Sequence, residues 1–251
     1  MLPARRNVWF SRLFARYNER FLLRRHFHSY SMKGTPDPLF EGKPVLYLMN
    51  HSSWWDGLLA FHVLSAYAAG EHYMMMDEAQ LKDFAFFRRL GAFSVNRYSP
   101  KDIARTLSYA QRLLRAGGRV WVFPQGEIQH AELRPLRFQR GVCHLLERLP
   151  DTVVIPVTAY YSNCLHQRAD ASIWFGEPVT VDWRKYGRDE AIAFLQAGLQ
   201  SQLDRHRELA IAAPDGKLNG FVPVLRQGSS ISEWYRSWKR RVTAWSRFSG
   251  S

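Results

Sequence analysis

The stretch Val45-Leu46-Tyr47-Leu48-Met49-Asn50-His51-Ser52-Ser53-Trp54-Trp55-Asp56 changes local structure twice in a short span. Val45–Met49 is an unbroken run of large apolar residues, the pattern of a strand buried on both faces rather than one that alternates between core and water. Asn50, His51 and the two serines end that run with turn-forming and helix-capping side chains. An apolar, helix-length segment follows, from about Ser53 to Ala68. A doubly buried strand that feeds a helix opens a β-α unit, and such units build parallel sheets.

The neighbouring sequence repeats this alternation. His72–Met76, Ala92–Val95, Arg119–Phe123 and Val153–Tyr160 read as further strands, and 78–90, 101–116 and 138–148 as the helices between them. Pro100 suits a helix start, and Gly117-Gly118 a helix stop. Ser172–Phe175 and Val179–Val181 read as one or two edge strands, and 188–210 as a long helix. The predicted fold is α/β, with a mostly parallel central sheet covered by helices on both faces. A helical entry over 8–30 precedes it and ends at the breaker cluster Gly34–Pro38. Amphipathic helices are expected at both ends, dividing the chain into 1–33, a catalytic domain over 34–228, and 229–251. No internal repeat is visible.

The formal charge of the 251 residues is +13, concentrated at the ends. Residues 1–33 hold eight Lys/Arg and one Glu, and residues 229–251 hold five Lys/Arg and one Glu. Both segments interleave cations with aromatics: Trp9, Phe10, Phe14, Tyr17 and Phe21 at one end, Trp234, Trp238 and Trp245 at the other. Aromatic stripes beside Lys/Arg fit an anionic membrane surface better than nucleic acid. The longest uncharged run, Thr152–Gln167, is 16 residues with several polar members. That is short of the ~20 apolar residues of a spanning helix. With no signal-peptide pattern and only Cys143 and Cys164, the expected location is the cytoplasmic face of a membrane, held peripherally.

In a parallel sheet, working residues gather at the carboxyl ends of the strands. His51 stands there, with Asp56 five residues on. Five residues on one helix are about 140° past a full turn, so the pair meets only if His51 lies in the strand-to-helix turn and Asp56 in the first helical turn. Ser52 or Ser53 would then cap the helix. A carboxylate on Nδ1 fixes the imidazole tautomer and leaves Nε2 to accept a proton, and an ordinary imidazole titrates near ~6.5, suited to a general base.

Three further blocks follow: Gly91-Ala-Phe-Ser-Val-Asn-Arg97, Val122-Phe-Pro-Gln-Gly-Glu-Ile128 and Val154-Ile-Pro-Val157. With Asn50-His51-x4-Asp56 they resemble, in content and order, the glycerolipid acyltransferase superfamily that includes bacterial 1-acylglycerol-3-phosphate acyltransferases. The resemblance spans about residues 44–182. It implies His51 and Asp56 as catalytic, Arg97 as the phosphate-binding arginine, and Gln125, Gly126 and Glu127 as substrate contacts. It also implies direct attack of an acceptor hydroxyl on the thioester of acyl-CoA or acyl carrier protein, with no cofactor, metal or covalent enzyme intermediate. Pro156 is expected to shape a strand edge near the pocket. Trp54, Trp55 and Leu58–Phe61 are candidates for an acyl path, although ordinary helix packing would place them equally well.

One block departs from the pattern. Where the family usually reads Phe-Pro-Glu-Gly-Thr, this chain has Phe123-Pro124-Gln125-Gly126-Glu127. Gln125 can hydrogen-bond but carries no charge; Glu127 restores a carboxylate two positions later. The resemblance implies as first reading a lysophospholipid acceptor such as 1-acylglycerol 3-phosphate, and the altered block motivates a second. A non-phosphorylated lipid hydroxyl, such as that of a glycolipid or pigment glycoside, is the second reading, and a non-catalytic membrane-binding protein the third.

Overall fold

A computed structural model describes residues 1–225 together with 235, 238 and 239. Its centre is an eight-stranded sheet: β1 (Phe27–Lys33), β2 (Val45–Met49), β3 (His72–Asp77), β4 (Ala92–Val95), β5 (Arg119–Val122), β6 (Val153–Ser162), β7 (Ala169–Phe175) and β8 (Val222–Leu225). The order across it is β4-β3-β5-β2-β6-β7-β1-β8. Five of the seven neighbouring pairs are parallel; β6–β7 and β1–β8 are antiparallel. β2 sits between β5 and β6, so its carboxyl end opens where the connections leave to opposite sides.

The uninterrupted apolar run of β2 supplies both cores. Val45, Tyr47 and Met49 point to one face and pack with Leu59, Val63 and Leu64 of helix α3 (Asp56–Tyr67). Leu46 and Leu48 point to the other face, against helices α6 (Pro100–Arg115), α7 (Gly141–Arg148) and α8 (Arg188–Ile211). This period-2 partition is what a doubly covered sheet requires.

Several expectations are corrected. The N-terminal helix does not run to 30: α1 (Val8–Tyr17) passes through a wide π turn (Asn18–Leu23) into the short α2 (Arg24–His26), and β1 then joins the sheet. A boundary at 33/34 therefore does not follow the packing, because Tyr30 and Met32 belong to the central core. β1 escapes sequence reading because His28, Ser29 and Ser31 look like surface residues. They are buried, and Asp170 accepts from Ser29 Oγ at 2.6 Å and pairs with His28 Nδ1 at 2.9 Å. β7 is an interior strand rather than an edge, and Val179 makes only an isolated bridge to Val154. The predicted helix 78–90 breaks at Phe84 into α4 (Glu78–Asp83) and α5 (Phe87–Leu90). Pro156 lies within the central β6, opposite Leu48. The expected helix over 229–251 lies outside the described residues. Among those described, no helix is long and apolar enough to cross a membrane.

Candidate active site

β2 delivers Asn50 and His51 to the carboxyl edge of the sheet, and Asn50 fixes the turn. Its Oδ1 accepts from the Ala159 backbone N–H at 2.7 Å, and its Nδ2 donates to the Ala159 carbonyl at 3.1 Å. One side chain thus mimics a strand partner for β6, just where β2 ends.

His51 and Asp56 meet as the turn-then-helix reading requires, with Nδ1 and Oδ2 2.9 Å apart. The capping is reversed from the expectation, because α3 starts at Asp56 rather than Ser53. The Asp56 carboxylate reaches back and accepts the Ser52 and Ser53 backbone N–H groups on Oδ2 at 2.7 and 2.9 Å. Its other oxygen accepts the Tyr161 hydroxyl at 2.6 Å. A carboxylate with no exposed surface is thereby satisfied by four donors, as a buried charge must be. Burial, together with the adjacent Asp56 charge and hydrogen bond, holds the Tyr161 hydroxyl well above the usual phenol range, so it stays a donor.

The His51 ring stacks on Phe123, with centroids 4.1 Å apart and planes within 19°. Its Nε2 takes part in no hydrogen bond among the described residues, and the side chain, 19% exposed, lines a cleft of about 1370 Å³. Held at Nδ1 and along one face, the imidazole has one nitrogen left for a reacting proton.

The third block holds this turn from below. Gln125 is 2% exposed, and its Oε1 accepts the His51 backbone N–H at 2.6 Å while its Nε2 donates to Gln129 at 3.1 Å. Both ends of the amide are used inside the protein. Gly126 has φ +78°, and a Cβ there would sit 3.0 Å from Gln139 Cγ, so the bend is suited to glycine. The bend presents the Gly126 carbonyl to Arg97 Nη1 at 2.9 Å, and Glu127 Oε2 lies 3.4 Å from the same nitrogen. Asp77 Oδ2 is 4.0 Å from Arg97 Nε. Arg97 and Glu127 are therefore at the cleft, as expected from sequence, but they face each other.

Trp54, Leu58 and Phe61 line the cleft, whereas Trp55 packs on His26 and Phe27 instead. Five arginines (6, 12, 16, 97 and 140) against Asp77 and Glu127 give the cleft a positive lining. Among the described residues, only His28, His166 and Asp170 group as metal ligands would. The two imidazoles stack face to face at 3.4 Å, so their in-plane lone pairs run alongside rather than converging. The geometry is that of a hydrogen-bonded stack, not a coordination sphere.

An acyltransferase family model matches residues 29–160, just over half of the chain. The chain belongs to the acyltransferase family. Its fold is similar to that of the 1-acyl-sn-glycerophosphate acyltransferase PlsC of Thermotoga maritima, with a TM-score of 0.55 at 13% identity, over 78% of this chain and 79% of that one. No curated protein sequence matches it. The Asn-His-x4-Asp block of this acyltransferase stands on the turn just described.

Tyr161 was not singled out by sequence reading. Strand alternation was the available signal, since Val157, Ala159 and Tyr161 share the face of β6 that packs toward α3.

Proposed function

We propose that this acyltransferase moves a fatty acyl group from acyl-CoA or acyl carrier protein to a lipid hydroxyl, with His51 as general base. One observation carries the reading: a histidine fixed at Nδ1 by a fully buried carboxylate, its other edge at a large, partly apolar cleft. Nε2 takes the acceptor hydroxyl proton, and the oxygen attacks the thioester carbonyl. The C–S bond then breaks, and the leaving thiolate takes the proton back from the imidazolium. No metal or cofactor enters this sequence of steps.

The acceptor is read as a lysophospholipid of the 1-acylglycerol-3-phosphate type, and Arg97 with Gly126 and Glu127 as its binding edge; Gln125, expected from sequence as a further contact, is turned inward and supports the catalytic turn instead. The positive cleft suits it, as it suits the anionic thioester carriers. A specific observation favours the second reading, a non-phosphorylated acceptor: Glu127 and Asp77 already stand beside Arg97, where a phosphate would. In-cleft acylation of a panel of lysophospholipids and glycolipids, followed by mass spectrometry, decides between them. With a phosphorylated acceptor, Arg97→Ala is expected to raise its KM about tenfold with kcat little changed. If Arg97→Ala leaves that KM unmoved, the phosphate reading is lost; if no acceptor in the panel is acylated, the enzyme reading is.

Access from a membrane surface completes the proposal. Trp9, Leu13, Tyr17 and Phe21 form an exposed stripe along the N-terminal helix, with Trp9 79% exposed. Arg12 and Arg16 of the same helix line the cleft. An apolar stripe flanked by cations fits peripheral binding to anionic lipid, at the cytoplasmic face.

A further inference from the structure

The end of β6 is tied to the catalytic turn at two points. Asn50 clips the turn to Ala159, and Tyr161, two residues on and on the same strand face, donates to Asp56 Oδ1. The tie at Asp56 is asymmetric. Oδ2 already accepts three donors, His51 Nδ1–H, Ser52 N–H and Ser53 N–H, whereas Tyr161 is the one donor on Oδ1 among the described residues. A carboxylate turns easily about its Cβ–Cγ bond; with one edge held by the Ser52 and Ser53 N–H groups, the single donor on the far oxygen sets the twist of the plane, and so the angle at which Oδ2 meets the histidine. Tyr161 is itself held: its ring stacks on Phe27 of β1 with centroids at 6.0 Å, and Phe27 meets Trp55 edge-on at 5.2 Å.

We propose that Tyr161 is a positioning residue of the acyl-transfer site: its hydroxyl locks the Asp56 carboxylate so that Oδ2 holds His51 in line with the cleft. It never touches substrate, since Asp56 stands between it and the imidazole. The role rests on the reading of His51 as base and predicts a signature that packing alone does not give. The hydroxyl acts through the charge and orientation of Asp56, so its effect belongs to kcat and disappears when that charge is gone.

The test is a double-mutant cycle on the full chain, with Tyr161→Phe, Asp56→Asn and the pair, read as thiol release from acyl-CoA or acyl carrier protein. Tyr161→Phe keeps the ring and its packing. We expect it to lower kcat about tenfold, the loss typical of one hydrogen bond to a charged group, with both KM values within about twofold. In the Asp56→Asn background the same change is expected to alter kcat by less than about twofold. A wild-type kcat for Tyr161→Phe overturns the proposal, as does a full additive loss in the Asp56→Asn background. His51→Ala is measured alongside. If it is inactive while Tyr161→Phe behaves as wild type, the positioning role alone falls; if His51→Ala keeps the wild-type rate, the base reading falls and the positioning role with it.

Discussion

Replacing Asp56 by asparagine separates the charge of the carboxylate from its geometry. The Ser52 and Ser53 N–H groups fall on one carboxylate oxygen, at 2.7 and 2.9 Å, and exclude an amide NH₂ from that position. The asparagine oxygen must therefore stay toward His51, with its nitrogen toward Tyr161, whose hydroxyl turns to accept. The tautomer survives, and only the charge is lost. Two unit charges ~4 Å apart at an effective dielectric near ~20 attract by about 4 kcal/mol. The retained amide dipole keeps part of this, leaving a loss of about 2–3 kcal/mol against the developing imidazolium. That corresponds to a kcat/KM lower by roughly 30- to 150-fold. Asp56→Ala removes the acceptor altogether, freeing the imidazole to take the wrong tautomer. It also strands two backbone N–H groups and a tyrosine hydroxyl, for about 2–4 kcal/mol of stability after water partly re-satisfies them. We expect it to lose more than about a thousandfold in rate and to melt several degrees lower. Thiol-release kinetics and thermal melts of both variants provide the check. Equal rate losses with equal melting temperatures would refute this separation of the carboxylate's charge from its geometry.

Gln125→Ala removes the acceptor of the His51 N–H and should cost about 1–3 kcal/mol of stability by thermal melting, as expected for a stranded buried donor; an unchanged melting temperature contradicts its place beneath the turn. His206 is buried between Thr158 and Ser172, and burial, with the nearby Lys33 charge, lowers its pKa to about 3. The unfolded chain takes up that proton near pH ~6.5, so stability is fully present above ~6.5 and falls by about 1.4 kcal/mol per pH unit toward 3. Denaturant melts from pH 7 to 5 should show this slope shrink in His206→Gln, and an identical slope counts against it. Trp9→Ser with Leu13→Ser, or deletion of 229–251, should weaken binding to anionic liposomes at least about tenfold, salt-sensitively for the deletion. Unchanged co-sedimentation removes the anchoring reading for the segment tested.

The core of the fold was legible because β2 announces itself: a doubly buried strand needs an uninterrupted apolar run, and Val45–Met49 is one. The same logic hid β1 and β8. β1 is lined with His28, Ser29 and Ser31, whose burial makes sense only with Asp170 across the strand, a pairing more than a hundred residues away in sequence. β8 is a short outer strand with Pro223 in it, and its first residues are exposed. At the site, His51 and Asp56 were readable from spacing because the turn that unites them is local. Tyr161 and the inward use of Gln125 were not, since each depends on which strands neighbour β2. Arg97 lines the cleft, and its pairing with Glu127 follows from the bend at Gly126 and not from any sequence spacing.

His51 acting as the base is tested by acceptor-dependent thiol release by His51→Ala, supplied with both acyl-CoA and acyl carrier protein. Its kcat is expected at least about a thousandfold below wild type with the melting temperature preserved, because among the described residues the ring makes one side-chain hydrogen bond and one stacking contact. A folded His51→Ala protein that retains a rate within a few-fold of wild type would contradict it.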